Sequence, residues 1–457
     1  MTGYKAQFKG KKITVMGLGL LGRGLGYTKF LAECGAILTV TDLKTKAQLA
    51  SSVKALSSPK QGFGLIKFVL GKHRLEDFRN ADMIIKSAGV PLDSIYIKEA
   101  QKNNIPIEMD ASLFAQMAPE VIVIGVTGTR GKSMTTMLIY EILKANEKFL
   151  KRKVHLGGNI RGVATLPLLK KVKDGDIVAM ELDSWQLQGF GEAHISPDIS
   201  VFTSFMPDHM NYYKDDLKKY FADKANIFKY QQKGDVLVIR PNMKKLIPKN
   251  IVADLIVADK KDVIDWKFIV PGSHQLENLS CAVEVAKQFD IPISNIKKAV
   301  ADFKGMEGRL QFVTEIKRVK IYNDNNATTP EATMAGLEAL GKEKNIILIC
   351  GGNDKNLDLK EFVKVINKYC KSVVLIPGTG TKNLIDNYKL RLSDRSETKA
   401  GITNENAKNL KEAVTKAIGQ AKKGDIILFS PAFSSFSQWN NEYERNDEFM
   451  KIIKGLK

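Results

Sequence analysis

The chain has 457 residues, more than one hydrophobic core usually holds, so two or three domains are expected. Its hydrophobic content of 44% with 26% charged residues is typical of a folded soluble protein, and it contains no run of about 18 apolar residues that would predict a membrane span. The net charge of +20 comes from lysines spread along the whole chain, which favours a solvated surface over a nucleic-acid site.

The four cysteines, Cys34, Cys281, Cys350 and Cys370, are far apart in sequence. Most lie in apolar segments, so we expect buried thiols in a reducing compartment. The first residues are polar and basic and lack the apolar core of a signal peptide. These features predict a cytoplasmic protein.

The chain opens with a predicted strand, a glycine-rich turn and a helix. The turn has the spacing Gly17-x-Gly19-x-x-Gly22, and a second predicted strand ends in Asp42 about 20 residues later. This pattern is typical of a βαβ unit whose turn binds the phosphates of a dinucleotide, although any diphosphate-bearing ligand can use the same turn. A later predicted strand ends in the loop SAGVP, residues 87–91.

The stretch VIVIGVTGTRGKSMTT, residues 121–136, predicts a phosphate-binding loop between a buried strand and a helix. Glycines let backbone N–H groups approach phosphate oxygens, and the start of the helix adds the positive end of its dipole. Lys132 can reach the outer phosphates, and the Ser133 hydroxyl can join a Mg²⁺ shell. The spacing departs from the generic P-loop, because Val126 stands where that pattern has its first glycine. A tight turn with an incidental Lys-Ser pair is the alternative.

Later strands of the same segment bring acidic and histidine side chains to the carboxyl edge of a parallel sheet, where catalytic residues of α/β folds collect. Glu181 ends one predicted strand, and Asp208 and His209 follow another. Such ligands suit Mg²⁺ beside phosphates, whereas a helix cap and a packed histidine are the structural alternatives.

The third segment runs from about residue 305 to the end and again predicts strands followed by glycine or turn motifs. Strands at 345–350, 373–376 and 425–429 precede GGNDKN, PGTGT and SPAFSSFSQW. This pattern predicts a second Rossmann-like α/β domain with its loops on one face.

In their order along the chain, these motifs resemble those of the Mur ligases of peptidoglycan synthesis. The matching stretches span nearly the whole length: GLGLLGRG, SAGVP, TGTRGKS, GGNIRG, ELDSWQL, DHMNYY, YFADKANIF, GSHQLEN, GRLQ, NDNNATTPEAT, GGNDKNLD and SPAFSSFSQWNNEYER. The resemblance implies an α/β fold of three domains. They are a Rossmann-like UDP-binding domain at 1–118, a central P-loop ATPase-like domain at 119–304 and a C-terminal Rossmann-like amino-acid-binding domain at 305–457.

The resemblance is nearest to the ligase activity that adds D-glutamate to UDP-N-acetylmuramoyl-L-alanine. It implies that ATP phosphorylates the substrate carboxylate and that the glutamate amine attacks the resulting acyl phosphate. The protein must then position and neutralise crowded anions. ATP and Mg²⁺ are the implied cofactors, and we expect a monomer without nucleic-acid or membrane partners. Because the implied ATP contacts come from two domains, catalysis is expected to need domain closure.

The resemblance also implies the residues that hold the nucleotides. ATP would contact the phosphate loop and three later side chains: Gly128, Thr129, Arg130, Gly131, Lys132, Ser133, Met134, Asn278, Arg309 and Asp324. The UDP substrate would contact the first domain and its boundary: Gly19, Leu20, Leu21, Asp42, Gly89 and Asn159.

The incoming amino acid would contact Thr328, Lys355, Ser435 and Phe436, and the catalytic residues would be Lys132, Glu181, His209 and Lys224. Lys224 lies fifteen residues after His209, where the family has a lysine that CO₂ carbamylates. A carbamate turns the cation into a carboxylate-like ligand, so the implied metal set is Ser133, Glu181, His209 and carbamylated Lys224. From the residue alone, an ordinary lysine on a helix surface is the alternative.

Three departures from the family's patterns concern the catalytic and amino-acid sites. The family's NDSKATN is NDNNATT here, with Asn326 in place of a lysine, and Gly308 stands for the histidine of a His-Arg pair. ELSSFQLE has become ELDSWQLQ, which puts Asp183 near the catalytic strand end. Losing the lysine removes a charge-assisted hydrogen bond worth about 1.5–3 kcal/mol. A sister ligase that adds L-glutamate or another amino acid to a UDP-muramoyl precursor is therefore an alternative.

Two other function classes explain only part of the chain. An NAD(P)-dependent oxidoreductase would use the turn at 17–22 but would leave the phosphate loop and Lys224 without a role. A nucleic-acid-binding ATPase would use the charge of +20 but would leave the third domain without a role.

Overall fold

The computed structural model describes residues 3–57, 66–354, 358–387, 403–435, 438–439 and 441–456. Three sheets follow one another along the chain, with helices between their strands. The α/β class predicted from the sequence is confirmed. The chain divides into two compact units: Met1–Trp266 with Glu277–Val300, and Lys267–Leu276 with Ala301–Lys457.

The first sheet has five parallel strands in the spatial order β3-β2-β1-β4-β5. The order changes direction at β1, and ligands of such sheets bind beyond the carboxyl ends of the strands at that point. The strands are β1 (Lys12–Met16), β2 (Ile37–Asp42), β3 (Ile66–Leu70), β4 (Met83–Lys86) and β5 (Ile107–Glu108). The helices are α1 (Tyr4–Phe8), α2 (Arg23–Glu33), α3 (Ala50–Leu56), α4 (Glu76–Arg79), α5 (Ile95–Lys102) and α6 (Asp110–Met117).

The second sheet has six parallel strands in the order β11-β10-β9-β6-β8-β7. The strands are β6 (Ile122–Thr127), β7 (Val154–Gly158), β8 (Ile177–Glu181), β9 (Ile199–Phe202), β10 (Val236–Ile239) and β11 (Asp254–Val257). The α-helices are α7 (Lys132–Ala145), α8 (Glu147–Leu150), α9 (Ser184–Glu192), α10 (Met210–Tyr213), α11 (Leu217–Ala225), α12 (Ser273–Lys287) and α13 (Ile293–Asp302). Because β6 lies between β8 and β9, the segments that follow these three strands meet at one edge.

The third sheet has the order β12-β13-β17-β14-β15-β16, with only β12 antiparallel to its neighbour among the described strands. The strands are β12 (Gln311–Ile316), β13 (Val319–Asn323), β14 (Ile346–Gly351), β15 (Cys370–Ile376), β16 (Thr403–Asn406) and β17 (Ile426–Phe429). The helices are α14 (Pro330–Leu340), α15 (Lys360–Tyr369), α16 (Thr379–Asp386), α17 (Leu410–Gln420) and α18 (Glu442–Lys454).

The central strands β6 (pattern of one half-buried and five buried residues) and β14 (six buried residues) are buried along nearly their whole length, as is typical of parallel sheets with both faces covered. One buried cluster packs against the first and second sheets together, from Phe8 through Val178 to Leu237. Two separate clusters, one containing Phe362 and the other Phe449, belong to the third sheet. The four cysteines are buried and free, as predicted.

The predicted domain boundaries after residues 118 and 304 fall between the three sheets and stay predictions. Within the described part of the chain, no helix combines the length and apolar character that a bilayer crossing needs.

Candidate active site

Two glycines with positive φ shape the predicted phosphate loop between β6 and α7. Gly128 has a φ of +142°, and Gly131, with +91°, directly precedes α7. A Cβ on Gly131 would lie 2.4 Å from Oδ1 of Asn278, and a Cβ on Gly128 would lie 2.1 Å from Oγ1 of Thr203. Glycine is therefore required at both positions, for its φ and for the space.

The segment after β9 braces the same loop. The Thr129 N–H donates to the Ser204 carbonyl at 2.7 Å, and the Arg130 N–H donates to the Ser204 hydroxyl at 2.8 Å. The Thr203 hydroxyl donates to the Arg130 carbonyl at 2.6 Å. The loop is thus held in one shape by its own protein contacts, which lowers the ordering cost of binding a ligand.

The predicted catalytic lysine of the loop folds back over it. Lys132 Nζ donates to the carbonyls of Gly128, at 2.9 Å, and Thr129, at 3.1 Å. Its positive charge is therefore held at the loop that would receive phosphates. Ser133 is nearly buried in the first turn of α7, and the Met134 side chain packs in the core.

Lys224 is not a surface lysine: it lies in the last turn of α11 and is only 1% exposed. Its Nζ donates to the Gly128 carbonyl at 2.9 Å and lies 4.9 Å from the centroid of the Tyr220 ring. Burial lowers the pKa of Lys224 well below its usual value, and the nearby charge of Lys132 lowers it further. Burial at this position therefore favours the neutral amine more than solvent exposure would.

Glu181 ends β8 and is buried beside Asn159. The Asn159 Nδ2 donates to Glu181 Oε1 at 3.3 Å, and the Asn159 Oδ1 accepts from Arg23 Nη2 at 2.6 Å. Asn159 thus links a helix of the first sheet to the acidic end of a strand of the second. Two residues predicted for different ligands, Asn159 and Glu181, are direct neighbours.

His209 directly precedes α10 and has a positive φ of +56°. Its ring packs 4.7 Å from the Trp185 ring and 6.3 Å from the Tyr220 ring, measured between centroids. Burial lowers the pKa of His209, although Asp208 opposes the shift. A neutral imidazole is the form that binds a metal ion. Lys224 and His209 therefore share Tyr220 as a neighbour.

Asp208 pairs with the loop residue Arg130 at 2.9 Å. Burial raises the pKa of Asp208, but His209 and Arg130 outweigh it and leave this pKa below its usual value. Asp183 takes another role, because its carboxylate accepts the Gln186 N–H at 2.8 Å and caps α9.

Sequence reasoning missed a hydrogen-bonded set that adjoins Lys224. Asp223 accepts hydrogen bonds from Gln188 Nε2, at 2.8 Å, and from the Tyr213 hydroxyl, at 3.0 Å. Lys86, buried at the end of β4, adds its positive charge nearby, and burial lowers its pKa to about 8. No local pattern signals this set, because its members come from segments far apart in sequence.

Asn278, predicted to contact the nucleotide, lies against the phosphate loop. Its Oδ1 accepts from the Thr135 hydroxyl at 3.2 Å and from Arg240 Nη2. Arg240, at the end of β10, also pairs with Glu277 at 3.0 Å. Arg240 was not predicted as a site residue, yet it orients Asn278.

The glycine turn after β1 is held by Asp42. The Gly19 N–H donates to one Asp42 oxygen at 3.0 Å, and the Lys44 N–H donates to the other at 2.8 Å. Each carboxylate oxygen keeps a second lone pair for a ligand. Leu20 and Leu21 are 47% and 45% exposed, so this part of the turn faces solvent.

The SAGVP loop adjoins the same turn. The Ser87 hydroxyl donates to the Gly17 carbonyl at 2.5 Å, and a Cβ on Gly17 would lie 2.7 Å from Ser87 Oγ. Gly89 has open space around it, because a Cβ there would meet no atom within 4 Å beyond its chain neighbours. The predicted UDP-contacting positions of the first domain thus belong to adjoining loops.

The remaining predicted ATP contacts lie in the second unit, around the carboxylate of Asp324. Its oxygens accept the Leu310 N–H at 3.0 Å and the Ser430 hydroxyl at 2.8 Å. Burial raises the pKa of Asp324 to about 7, while Ser430, Leu310 and the charge of Arg309 oppose the shift. Asp324 thus fixes the segment that carries Arg309.

Two of the four predicted amino-acid contacts can be located. Thr328 follows β13, and the Ala432 N–H donates to the Ala327 carbonyl at 2.9 Å, which joins this segment to the one that follows β17. Ser435, on the second segment, is buried, and its hydroxyl has no hydrogen-bond partner among the described residues. Such a hydroxyl suits a ligand contact. Lys355 and Phe436 lie outside the described residues.

Across the described ranges, no group of three or more His, Cys, Asp and Glu side chains forms a metal site. The predicted set has only Glu181 and His209 of those types. Mg²⁺ commonly takes one or two protein ligands and completes its shell with phosphates and water. The residues present therefore fit a metal that binds together with a nucleotide.

Three family models match the chain in order. The MurD-like N-terminal domain of Mur ligases matches residues 11–108, the Mur ligase middle domain matches 126–256, and the Mur ligase glutamate ligase domain matches 308–433. Each match falls on one of the three sheets.

Full-length relatives and solved structures agree with these matches. A UDP-N-acetylmuramoylalanine–D-glutamate ligase of Roseiflexus sp. (strain RS-1) is 34% identical, with 98% of this chain and 100% of the relative covered. A protein of the same name from Borreliella afzelii (strain PKo) is also 34% identical, over 98% and 99%. The structure of UDP-N-acetylmuramate–alanine ligase MurC from Thermotoga maritima shares the fold, with a TM-score of 0.60, 16% identity and coverage of 98% and 100%. The chain belongs to the Mur ligase family.

Proposed function

We propose that this chain is an ATP-dependent ligase that joins D-glutamate to UDP-N-acetylmuramoyl-L-alanine in the synthesis of peptidoglycan precursors. One observation carries the proposal: proteins named for this reaction are 31–34% identical over at least 98% of the chain. The domain bounds proposed for this activity are 1–118 for the UDP substrate, 119–304 for ATP and 305–457 for the amino acid.

In the proposed reaction, the substrate carboxylate attacks the γ-phosphorus of ATP, ADP leaves and an acyl phosphate forms. Lys132 and the N–H groups around Gly131 would stabilise the negative charge on the transferred phosphoryl group. The amine of D-glutamate then attacks the acyl carbon. The tetrahedral intermediate loses inorganic phosphate and a proton to give the amide.

Mg²⁺ would be held by Ser133, Glu181, His209 and a carbamate on Lys224, together with phosphate oxygens. When bound, it neutralises charge on the phosphoryl oxygens. The burial of Lys224 supports the carbamate, because only the neutral amine attacks CO₂, and burial lowers the pKa of this lysine. The reaction converts the amine and CO₂ into a carbamate and releases one proton.

The remaining contacts are assigned by the elements that carry them. We propose that the UDP moiety binds at the turn with Gly19, Leu20 and Leu21 and at Asp42 and Gly89, while Asn159 contacts the muramoyl side. The nucleotide would use the loop from Gly128 to Met134 with Asn278, Arg309 and Asp324. The amino acid would contact Thr328 and Ser435, together with Lys355 and Phe436. The unpartnered hydroxyl of buried Ser435 supports this last assignment.

We also propose a monomer that works in the cytoplasm, where ATP and UDP-linked precursors are found. The buried, unpaired cysteines are compatible with a reducing compartment. Sedimentation velocity of the purified protein, with and without substrates, tests the monomer, and a dimer that persists at low protein concentration would contradict it.

The ligase reaction is tested by incubating the protein with ATP, Mg²⁺ and UDP-N-acetylmuramoyl-L-alanine. D-glutamate, L-glutamate and a panel of other amino acids are added in separate reactions. We expect phosphate release and an amide product, identified by mass spectrometry, with D-glutamate. Turnover with L-glutamate instead would favour a sister ligase, and no turnover with any amino acid would refute the proposal.

A further inference from the structure

We propose that Arg445 is a positioning residue for the amino-acid site: it does not touch the substrate but holds together the two loops that carry Thr328 and Ser435. The inference rests on the proposed function for the identity of the substrate. Arg445 lies near the start of α18 and is 0% exposed, so it cannot itself be a surface contact.

The guanidinium of Arg445 joins two loops of the third sheet. Its Nε donates to Asn325 Oδ1 at 2.8 Å, and its Nη2 donates to the Asn325 carbonyl at 2.9 Å. Its Nη1 donates to the Phe433 carbonyl at 3.2 Å. Asn325 follows β13 and Phe433 follows β17, so one planar group holds both loops. A lysine cannot reproduce this fork, because its donors are not fixed in a plane.

Asn325, which Arg445 holds, in turn forms hydrogen bonds to residues on both sides. Its Nδ2 donates to Asn326 Oδ1 at 3.1 Å and to the Glu442 carbonyl, on α18, at 2.8 Å. The Asn326 N–H donates to the Gly308 carbonyl at 2.9 Å, and its carbonyl accepts the Thr328 N–H at 3.1 Å. The position of Thr328 therefore depends on a chain of contacts that starts at Arg445.

Asn446, the next residue of α18, reinforces the same arrangement. Its Oδ1 accepts from Asn323 Nδ2 at 2.8 Å, and its Nδ2 donates to Glu307 Oε1 at 2.5 Å. A Cβ on Gly308 would lie 3.2 Å from both Asn446 Oδ1 and Asn326 Nδ2. The glycine and the asparagine that depart from the family's patterns, Gly308 and Asn326, thus lie side by side, joined by a backbone hydrogen bond and adjoining Asn446.

The charge of Arg445 has a consequence for the substrate. Its three hydrogen-bond acceptors are neutral oxygens. Burial lowers the pKa of Arg445 to about 10, and the charge of Glu442 on the same helix offsets this only in part. A buried cation without a paired anion favours a negative charge nearby. Arg445 therefore suits an amino acid that carries carboxylates, at a site where Asn326 has replaced a lysine.

The test compares Arg445→Lys, which keeps the charge but loses the fork, with Arg445→Met, which loses both. Arg318→Lys, at an exposed position of the same unit, is the matched control. For Arg445→Lys we expect the KM for D-glutamate to rise at least tenfold, with the KM values for ATP and UDP-N-acetylmuramoyl-L-alanine within twofold. Arg445→Met should show a larger rise, and the control none.

An unchanged KM for D-glutamate in a folded Arg445→Lys protein would overturn the inference, and so would equal rises in all three KM values. Circular dichroism checks the fold. If Arg445 variants do not fold, Asn325→Ala removes the linking side chain and keeps the charge, and the same selective rise in the KM for D-glutamate is expected. An unchanged KM there would equally count against the proposal.

Hydrogen exchange separates this inference from the proposed function. In Arg445→Lys, the amides of Ala327 and Ala432 should exchange at least tenfold faster than in Arg318→Lys, because each closes a contact within or between the two loops. Wild-type protein without ligase activity would refute the proposed function alone. Unchanged exchange at both amides would overturn the role of Arg445, whatever the reaction is.

Discussion

Two loops of this molecule share one backbone plan but carry different charges. The turn after β1 and the loop after β6 each follow a parallel strand, and each ends in a positive-φ glycine, Gly22 or Gly131, directly before a helix. The first is held by a carboxylate, Asp42, whereas the second is held beside two lysines, Lys132 and Lys224.

A glycine turn alone therefore does not define the ligand. Both turns lead into the N-terminus of a helix, where backbone N–H groups and the helix dipole favour an anion. Only the second adds cations next to Glu181 and His209, which is the environment that polyphosphate transfer needs. The first has exposed leucines and one carboxylate, which suits a ligand that is held by its sugar and base as well as its phosphates.

The largest effect is expected from removing the loop cation. Lys132→Ala should lower kcat by about 10³-fold, because a donor aimed at developing negative charge is lost. The fold should persist, since Lys132 Nζ donates to carbonyls of its own loop and the side chain is not part of a hydrophobic core. Phosphate release measures the rate, and Lys144→Ala, on the exposed side of α7, is the control. Amide formation at the wild-type rate in Lys132→Ala would remove the contrast between the two loops.

The second lysine should be almost as important, for a different reason. Lys224→Ala should lower kcat by about 10²- to 10³-fold, because the proposed carbamate ligand is lost. Acetate or formate should restore part of the activity by occupying the vacated carboxylate position. Lys218→Ala, a change at an exposed position of the same helix, should leave kcat unchanged. Full activity of Lys224→Ala without any added anion would show that the burial of this lysine has no catalytic purpose.

Matched substitutions of Gly22 and Gly131 test whether the two loops differ in the space around the last glycine. Gly22→Ala should lower the free energy of unfolding by about 1–2 kcal/mol, which is the strain of a positive φ, because the added Cβ meets nothing closer than 4.0 Å. Gly131→Ala adds a collision with Asn278 and Arg240, so kcat/KM for ATP should fall by about 10- to 100-fold.

Steady-state kinetics with each substrate varied in turn distinguishes the two glycine variants. Gly175→Ala, with φ of +80° and open space, is the control for strain alone. If kcat/KM for ATP falls equally in Gly22→Ala and Gly131→Ala, the neighbours of Gly131 have no part in ATP binding.

The positions of the buried strands along the chain, and of the loops that follow them, were predictable because β-branched runs bounded by glycine mark buried parallel strands. The run at 121–126 became β6 (Ile122–Thr127), and the run ending at Glu181 became β8. The edge strands β5 and β11 were not predicted: β5 has only two residues, and the apolar residues of β11 are largely exposed and do not mark a buried strand. A strand that is buried on both faces therefore leaves a clearer local pattern than a short or exposed edge strand.

The contacts that support the site could not be predicted from local spacing, although the family resemblance named Lys224 itself. Lys224 lies on a helix with a polar sequence, and its burial depends on which face of α11 covers the loop after β6. Arg445 likewise reads as one of many charged residues of α18, although its partner Asn325 lies 120 positions away. Long-range contacts of this kind leave no pattern in local spacing. The residues that make them nevertheless position the side chains of the predicted motifs.

The smallest effect is expected at the first loop. Asp42→Asn keeps the shape of the side chain but can accept at only one of its two terminal atoms, so either the Gly19 or the Lys44 N–H loses its acceptor. A charged hydrogen bond of this kind is worth about 1.5–3 kcal/mol, part of which is recovered by water, so the Kd for UDP-N-acetylmuramoyl-L-alanine should rise by about tenfold.

Calorimetry measures the Kd, with the exposed change Asp93→Asn as control. The Kd for ATP should stay constant, because the lysine-bearing loop is untouched. Wild-type protein that binds NADH tightly and the UDP sugar not at all would show that the first turn serves a dinucleotide, and the contrast drawn between the two loops would then fail.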